Sequence, residues 1–554
     1  MKTADIVIEN ARVLTMDPDR PTAEAVAIAG PHILAVGSRE AVSMLARPDT
    51  RRIDAGGATV MPGMVEAHLH LFAGAFGLRL LQLDGVQGMD AVRDRLQAYA
   101  AANPDEALLI CKATDYNLFG DGVQTTRQML DEALPDRPVI CVAHDHHTSW
   151  ANSIALERAG LMQGREMPPG NEVVMADDGT ALGELREHAA SDPVMALRSS
   201  GGRESLGLGG HEPDGPVSAA EREADIEVLN EGLRLCASYG FTALHNMDGN
   251  RYQLELLAEI ERRGDLLCRT EVPFHLTPEK PLSTLDEASR FAEEFDTDRL
   301  KSKRVKMFMD GVIDGATAVM VEDYADQPGW RGDPLHSAER FCAAAVDIDR
   351  RGLQISVHAI GDGAVRRVLD GYQAAREANG PRDARHRIEH VELLHPDDLK
   401  RFAELGVVAS MQPPHPPGSM DFPLDPWVTR VGEARWRWGF PVAALRAEGV
   451  PICFASDWPV ADINPMRGVK AAMTRAKWGP MDPDNRSSLM EALHGYTAGG
   501  AYAGHDEHRF GQLKPGMLAD IVVMDRDLEA EPVETIDQAR AAITFCGGEV
   551  TWEA

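Results

Sequence analysis

Four features are scarce or missing in this 554-residue chain, and each absence narrows what it can do. The seven cysteines, Cys111, Cys141, Cys236, Cys268, Cys342, Cys453 and Cys546, are scattered, odd in number and without a Cys-x-x-Cys pair. That is no disulfide framework, and it fits a reducing cytoplasm. Positive charge is in short supply: 56 Lys and Arg against 87 Asp and Glu give a formal net charge of −31, which opposes non-specific binding to nucleic acid or to anionic membrane and favours solubility. No apolar run reaches membrane-spanning length, and Met1 to Asp5 pass straight into strand-like sequence without a basic region, apolar core or cleavage site. The expectation is a soluble, cytoplasmic protein that handles a small molecule, with no nucleic-acid or membrane partner; a homo-oligomer stays open.

What is present is organised around Met61-Pro62-Gly63-Met64-Val65-Glu66-Ala67-His68-Leu69-His70. Small and apolar residues read as a buried strand, and histidines two positions apart leave the same face of it, where they can grip one metal ion. Upstream, residues 4–60 alternate short β-like segments with turn signals such as Gly30-Pro31 and Gly56-Gly57. Matching segments recur at Ala519 to Met524 and Ala541 to Phe545. The two ends, residues 1–60 and 505–554, are expected to fold together as one composite β-sandwich.

Residues 61–504 are expected to form the central domain. Short apolar strand candidates run over 61–70, 240–246, 268–275, 305–310, 354–360, 387–393, 407–411 and 452–458, with helical patterns such as Ala338 to Gly352 and Ala364 to Asn379 between them. Strand–helix alternation eight times over predicts an α/β fold, a (β/α)8 TIM barrel, whose chemistry gathers at the carboxyl ends of the strands. The long gap after the first strand marks an insertion, residues 72–217, read as a lid or pocket wall. A second long loop, Gln412 to Gly439, is rich in Pro and Trp and reads as apolar wall.

Further polar residues interrupt four other apolar strands: Lys306, His358, His390 and Asp457. One strand histidine is an ordinary core residue, but five such strands in one barrel point to a metal site. Lys306 is the sharpest case, because an ammonium inside a strand has three donors, no acceptor and a heavy desolvation cost. Pairing with Asp310 is one outlet. Combination of the neutral amine with carbon dioxide is the other, giving a carbamate whose oxygens could bridge two divalent metals. Zinc suits such a donor set, and manganese, iron, cobalt or nickel are compatible. Glu389 and Asp362 are candidates to orient ligand imidazoles, His147 to hydrogen-bond a substrate carbonyl or its oxyanion, and Phe72 and Trp458 to shape the pocket.

Taken together, the Pro62-Gly63-Met64-Val65-Glu66-Ala67-His68-Leu69-His70 opening, Val305-Lys306 to Asp310-Gly311, His358-Ala359-Ile360-Gly361-Asp362, Arg387-Ile388-Glu389-His390, Ser456-Asp457 and Gly511 to Asp520 resemble the amidohydrolase superfamily. The resemblance is to the amidohydrolase 3 branch typified by N-substituted formamide deformylases. It covers nearly the whole chain, and Thr126-Arg127, His147, Trp150 and Asn152 extend it into the insertion; Lys112 to Tyr116 depart from the branch's glycine-rich segment. The resemblance implies that His68, His70 and Asp457 hold one metal and His358 and His390 a second, with carboxylated Lys306 between them and Asp457 as general base. The expected reaction is hydrolysis of the C–N bond of an N-acyl or N-formyl amine. Deamination, or opening of a cyclic amide, lactone or ester, uses the same site; a one-metal centre and a non-catalytic metal-binding regulator are the remaining alternatives.

Overall fold

The computed structural model describes residues 3–143, 148–167, 171–420 and 422–554. It comprises two compact units, one of Met1–Gly74, Gly207–Pro216 and Arg222–Ala554, the other of Ala75–Leu206 and Val217–Glu221.

In the first unit, strands Ala4–Glu9, Ala25–Ala29, His32–Gly37 and Ala46–Asp54 make a four-stranded sheet. A six-stranded sheet runs in the order Glu549–Glu553, Ala541–Cys546, Ile521–Met524, Thr59–Pro62, Arg12–Leu14, Thr22–Ala23, so strands from both chain ends lie side by side. Alternation explains the shared core: Ile521 and Val523, or Ile543 and Phe545, leave one face of their strands and pack with Ile8, Val26, Ile28 and Val60. Gly63 separates this sheet from the central one. The run read from sequence as one strand is two, Thr59–Pro62 and Met64–Leu69, and a Cβ at Gly63 would lie 2.3 Å from the Thr242 side chain.

The central strands are β1 (Met64–Leu69), β2 (Phe241–Asn246), β3 (Arg269–Glu271, then Phe274–His275), β4 (Leu300–Lys301, then Arg304–Phe308), β5 (Gln354–Ala359), β6 (Arg387–His390), β7 (Val408–Met411) and β8 (Ile452–Phe454). Each pairs in parallel with the next, and Leu69 bridges Trp458, just beyond β8, also in parallel. Near-continuous burial along β1, β2 and β5 is what a parallel sheet covered on both faces requires. Helices return the chain between strands. In Ala338–Arg350 the buried Phe341, Ala344, Ala345 and Ile348 recur at helical spacing, and Ser337 caps the start by accepting the Arg340 N–H.

The second unit carries its own six-stranded sheet, ordered Glu172–Met175, Ala181–Arg186, Thr148–Ala151, Val139–Ala143, Leu109–Thr114, Leu81–Gln82. Its core includes Val92, Leu96, Leu109, Leu130, Val139 and Trp150. All seven cysteines are free, and among the described residues no helix is long and apolar enough to cross a membrane.

Candidate metal centre

Parallel pairing brings the polar strand ends together. Four imidazoles form a chain of neighbours, with ring centroids 5.6 Å apart for His68 and His70, 4.9 Å for His68 and His390, and 4.6 Å for His358 and His390. Their outer nitrogens are spoken for. His68 Nδ1 lies 2.8 Å from Glu389 Oε2, His70 Nδ1 2.6 Å from Asp248 Oδ1, His390 Nδ1 2.9 Å from Gln412 Oε1, and His358 Nε2 3.0 Å from the Gly311 carbonyl. A partner on one ring nitrogen fixes which nitrogen is left for a metal. For His68 and His70 that nitrogen is Nε2, and these two converge on one carboxylate oxygen, Asp457 Oδ1, at 3.3 and 3.1 Å.

Asp457 Oδ1 is buried and has no hydrogen-bond partner among the described residues, and once His70 gives up the proton that the carboxylates around it favour, ring nitrogens and a carboxylate oxygen, all acceptors, face one another at this point. A cation reconciles such a set of acceptors. His68, His390 and Asp457 each offer a ligand atom within 4.8 Å of the others, and nitrogen and carboxylate donors suit zinc and its first-row neighbours.

The frame behind the site is rigid. Glu66, two residues before His68, accepts the N–H of His68 at 3.3 Å and of Ser456 at 2.9 Å, tying the ends of β1 and β8 together; burial pushes its carboxyl up to about 8. Asp457 and His390 have φ of 62° and 79°, a left-handed backbone that non-glycine residues adopt at a cost and that clusters at functional sites.

Burial, with nearby Lys306, drives His68 down to about 4 and His358 to about 3, so both are neutral, as metal ligands must be. His70 goes the other way: burial opposes its charge, but Asp248 and Asp457 outweigh burial and raise it to about 10. Any cation bound there displaces that proton. Lys306 is fully buried, its Nζ has no hydrogen-bond partner among the described residues, and it sits 4.7 Å from the Phe308 ring centroid. Burial lowers it to about 8. Asp310 does not pair with it. That carboxylate is taken up by the N–H groups of Ile360, Gly361 and Val319 at 2.9–3.0 Å.

Of the residues singled out from sequence, His68, His70, His358, His390, Lys306 and Asp457 all stand at or next to the carboxyl ends of β1, β4, β5, β6 and β8. Glu389 orients an imidazole, that of His68 rather than of its neighbour His390. Asp362 does not: it accepts the Val321 N–H, because it opens a helix and faces the β4 loop. Trp458 packs on Gly74 and Phe72 is buried. His147 lies outside the described residues.

Sequence reasoning missed Asp248, Gln412 and His415. Asp248 follows β2, where Asn246 fixes the turn by accepting the Leu71 N–H and donating to the Asp248 carbonyl. His415, in the loop assigned as apolar wall, lies parallel to His390 at 9° and places Nε2 3.9 Å from Asp457 Oδ2. No spacing rule joins these residues to their partners, although a carboxylate just past β2 was a visible signal.

Residues 51–552 match the model of the amidohydrolase family. Protein LONG AFTER FAR-RED 3 of Arabidopsis thaliana is 29% identical over 99% of this chain and 91% of its own length. N-substituted formamide deformylase of Arthrobacter pascens is 26% identical over 99% and 98%. Among solved structures, an uncharacterized metal-dependent hydrolase from Pyrococcus furiosus superposes with a TM-score of 0.74 at 25% identity, covering 93% of this chain and 98% of that one. With a family match spanning nearly the whole chain and a site of this composition, the chain belongs to the amidohydrolase family and is a metal-dependent hydrolase.

Proposed function

We propose that this protein hydrolyses the C–N bond of an N-substituted amide, an N-acyl or N-formyl amine, at a centre held by His68, His70 and Asp457 on one side and His358 and His390 on the other, with Lys306 between them as a carbamate. The observation that carries the reading is the convergence of two histidine Nε2 atoms on the unpartnered, buried Asp457 Oδ1. The site lies at one end of what we take to be a closed (β/α)8 barrel, a reading supported by the seven successive parallel pairings of β1 to β8 and the Leu69–Trp458 bridge.

A divalent cation bound by these residues, zinc first among candidates, supplies Lewis acidity and lowers the pKa of water toward neutrality. The chain supplies the rest. Asp457 is the carboxylate on which the Nε2 atoms of His68 and His70 converge, so it takes the proton of the attacking water and returns it to the leaving nitrogen, which cannot depart as a bare amide anion. Glu389 and Asp248 keep His68 and His70 in one tautomer and one orientation. Lys306, buried and without a partner, exchanges an expensive ammonium for an anionic ligand when its neutral amine adds to carbon dioxide and releases a proton.

The deformylase among the relatives favours amide cleavage over deamination or lactone opening. The test incubates metal-loaded protein with N-formyl and N-acyl amines, heterocyclic amines and lactones, scoring amine, ammonia and acid separately, with Asp457→Asn as control. Amine release that disappears in the control supports the reading. Ammonia alone, or acid from lactones alone, replaces it with the corresponding alternative.

A further inference from the structure

Two residues past the ligand His390, Glu392 is the side chain whose chemistry the reaction leaves unused. The chain passes from His390 to Glu392 through two successive left-handed residues, His390 at φ 79° and Val391 at φ 49°, so the strand ends there and Glu392 lies in the carboxyl-end layer beside the centre. It is held from two directions. Its carbonyl accepts the Phe440 N–H at 2.8 Å, and its Oε2 accepts the indole N–H of Trp427 at 2.9 Å. Trp427 is itself buried against Trp478 and Phe440, with ring centroids 4.6 and 5.8 Å away. The carboxyl therefore has a fixed position. Its other oxygen, Oε1, accepts no hydrogen bond among the described residues, and the side chain is partly open to solvent.

A carboxyl is a poor choice if its only task is to receive the Trp427 N–H. A glutamine would accept that bond equally well and would avoid the cost of confining an acid in a mostly buried position. Among the described residues no cationic side chain forms a hydrogen bond with the Glu392 carboxyl, whose one such bond comes from Trp427. A fixed, half-open carboxyl oxygen in an acidic layer is complementary to a positively charged hydrogen-bond donor from outside the chain.

We propose that Glu392 is a specificity-determining residue whose Oε1 binds a protonated amino group on the substrate, so that the preferred substrates are N-acyl or N-formyl amines bearing a second, cationic nitrogen. This rests on the amide reading above for the identity of the bond cleaved, but the recognition itself can be measured without turnover.

The experiment measures dissociation constants by calorimetry for N-formylputrescine, which carries the ammonium, and for N-formylpentylamine, which has a methyl in its place. The metal-loaded wild type, Glu392→Gln and Trp427→Phe proteins are compared. The wild type binds the cationic probe tighter than its neutral isostere by about tenfold or more, the scale of one charge-assisted hydrogen bond. Glu392→Gln brings that ratio near one, whereas Trp427→Phe, which frees the carboxyl to move, lowers it in part. A wild-type ratio near one, failure of the cationic probe to bind, or a ratio unchanged in Glu392→Gln would each overturn the proposal. In particular, a Glu392→Gln protein with less metal but an unchanged ratio would mean that Glu392 merely balances the charge of the centre. Amine release is scored separately on the same proteins: selective binding without release leaves the Glu392 assignment standing and removes the amide reading, and release without selectivity does the reverse.

Discussion

Arg387 and Lys306 are both cations sealed inside the central strands, and they are treated in opposite ways. Arg387 lies on β6 with every nitrogen engaged: Nε and one terminal nitrogen clamp Glu389 at 2.8 and 2.9 Å, the same terminal nitrogen reaches the Ala67 carbonyl and Ser410 Oγ, and the other meets His245 Nδ1 at 2.9 Å. Lys306, equally buried on β4, has no hydrogen-bond partner among the described residues. Unsatisfied buried atoms also occur elsewhere, Arg304 Nη1 for one, but they gather around the ligand residues: among the described residues Lys306 Nζ, Asp457 Oδ1, Asp248 Oδ2, Gln412 Nε2 and His415 Nε2 all lack a hydrogen-bond partner. Because an unpaired buried polar group costs free energy, such groups mark the place where something from outside the chain is meant to bind.

The largest expected effect falls on the unpaired side. Asp457→Asn loses about 10²–10⁴-fold in kcat, the range for a removed general acid–base group, while retaining its far-ultraviolet circular dichroism; full turnover in that variant would break the assignment. On the paired side, Arg387→Met strips Glu389 of its counter-charge and should cost about 3–5 kcal/mol of stability, as breaking a buried ion pair does, read from urea unfolding of the metal-free protein.

Asp248→Asn removes the carboxylate behind His70 and should weaken metal affinity by about 10–100-fold, measured against a competing chelator. Affinity should also rise with pH. His70 is held up to about 10 by Asp248 and Asp457, so it is protonated at neutrality and a metal must displace that proton; below its pKa this one group strengthens binding by about tenfold per pH unit. Asp248→Asn should flatten that slope. The smallest effect sharpens the contrast most: Lys306→Met, which removes a cation without a partner, leaves the midpoint of metal-free unfolding unchanged or raised, whereas it lowers the metal content of the reconstituted protein.

Much of this was legible in the sequence because strand ends write themselves into local pattern. A polar residue in an apolar run, as at His68, His358 or Asp457, needs no knowledge of the partner strand to be noticed. Strand positions and helices such as Ala338–Arg350 follow from the same periodicity. The break at Gly63 was hidden, because both flanking strands are equally apolar and only the approach of Thr242 shows why the chain turns there. Partnerships were the least visible. Glu389 sits beside His390 in sequence but serves His68 on β1, and Asp362, next to the His358 strand, is consumed by the Val321 backbone. Adjacency in sequence suggested both pairings, and strand register decided them.

The most direct test of the account is anomalous diffraction at the metal edge from crystals of metal-loaded protein. The account predicts peaks within ligand distance of His68, His70 and Asp457 and of His358 and His390, with added density on Lys306 Nζ between them. A bare Lys306 amine with one peak would reduce the centre to a single metal. Absence of any peak at the convergence of His68, His70 and Asp457 would contradict the central claim.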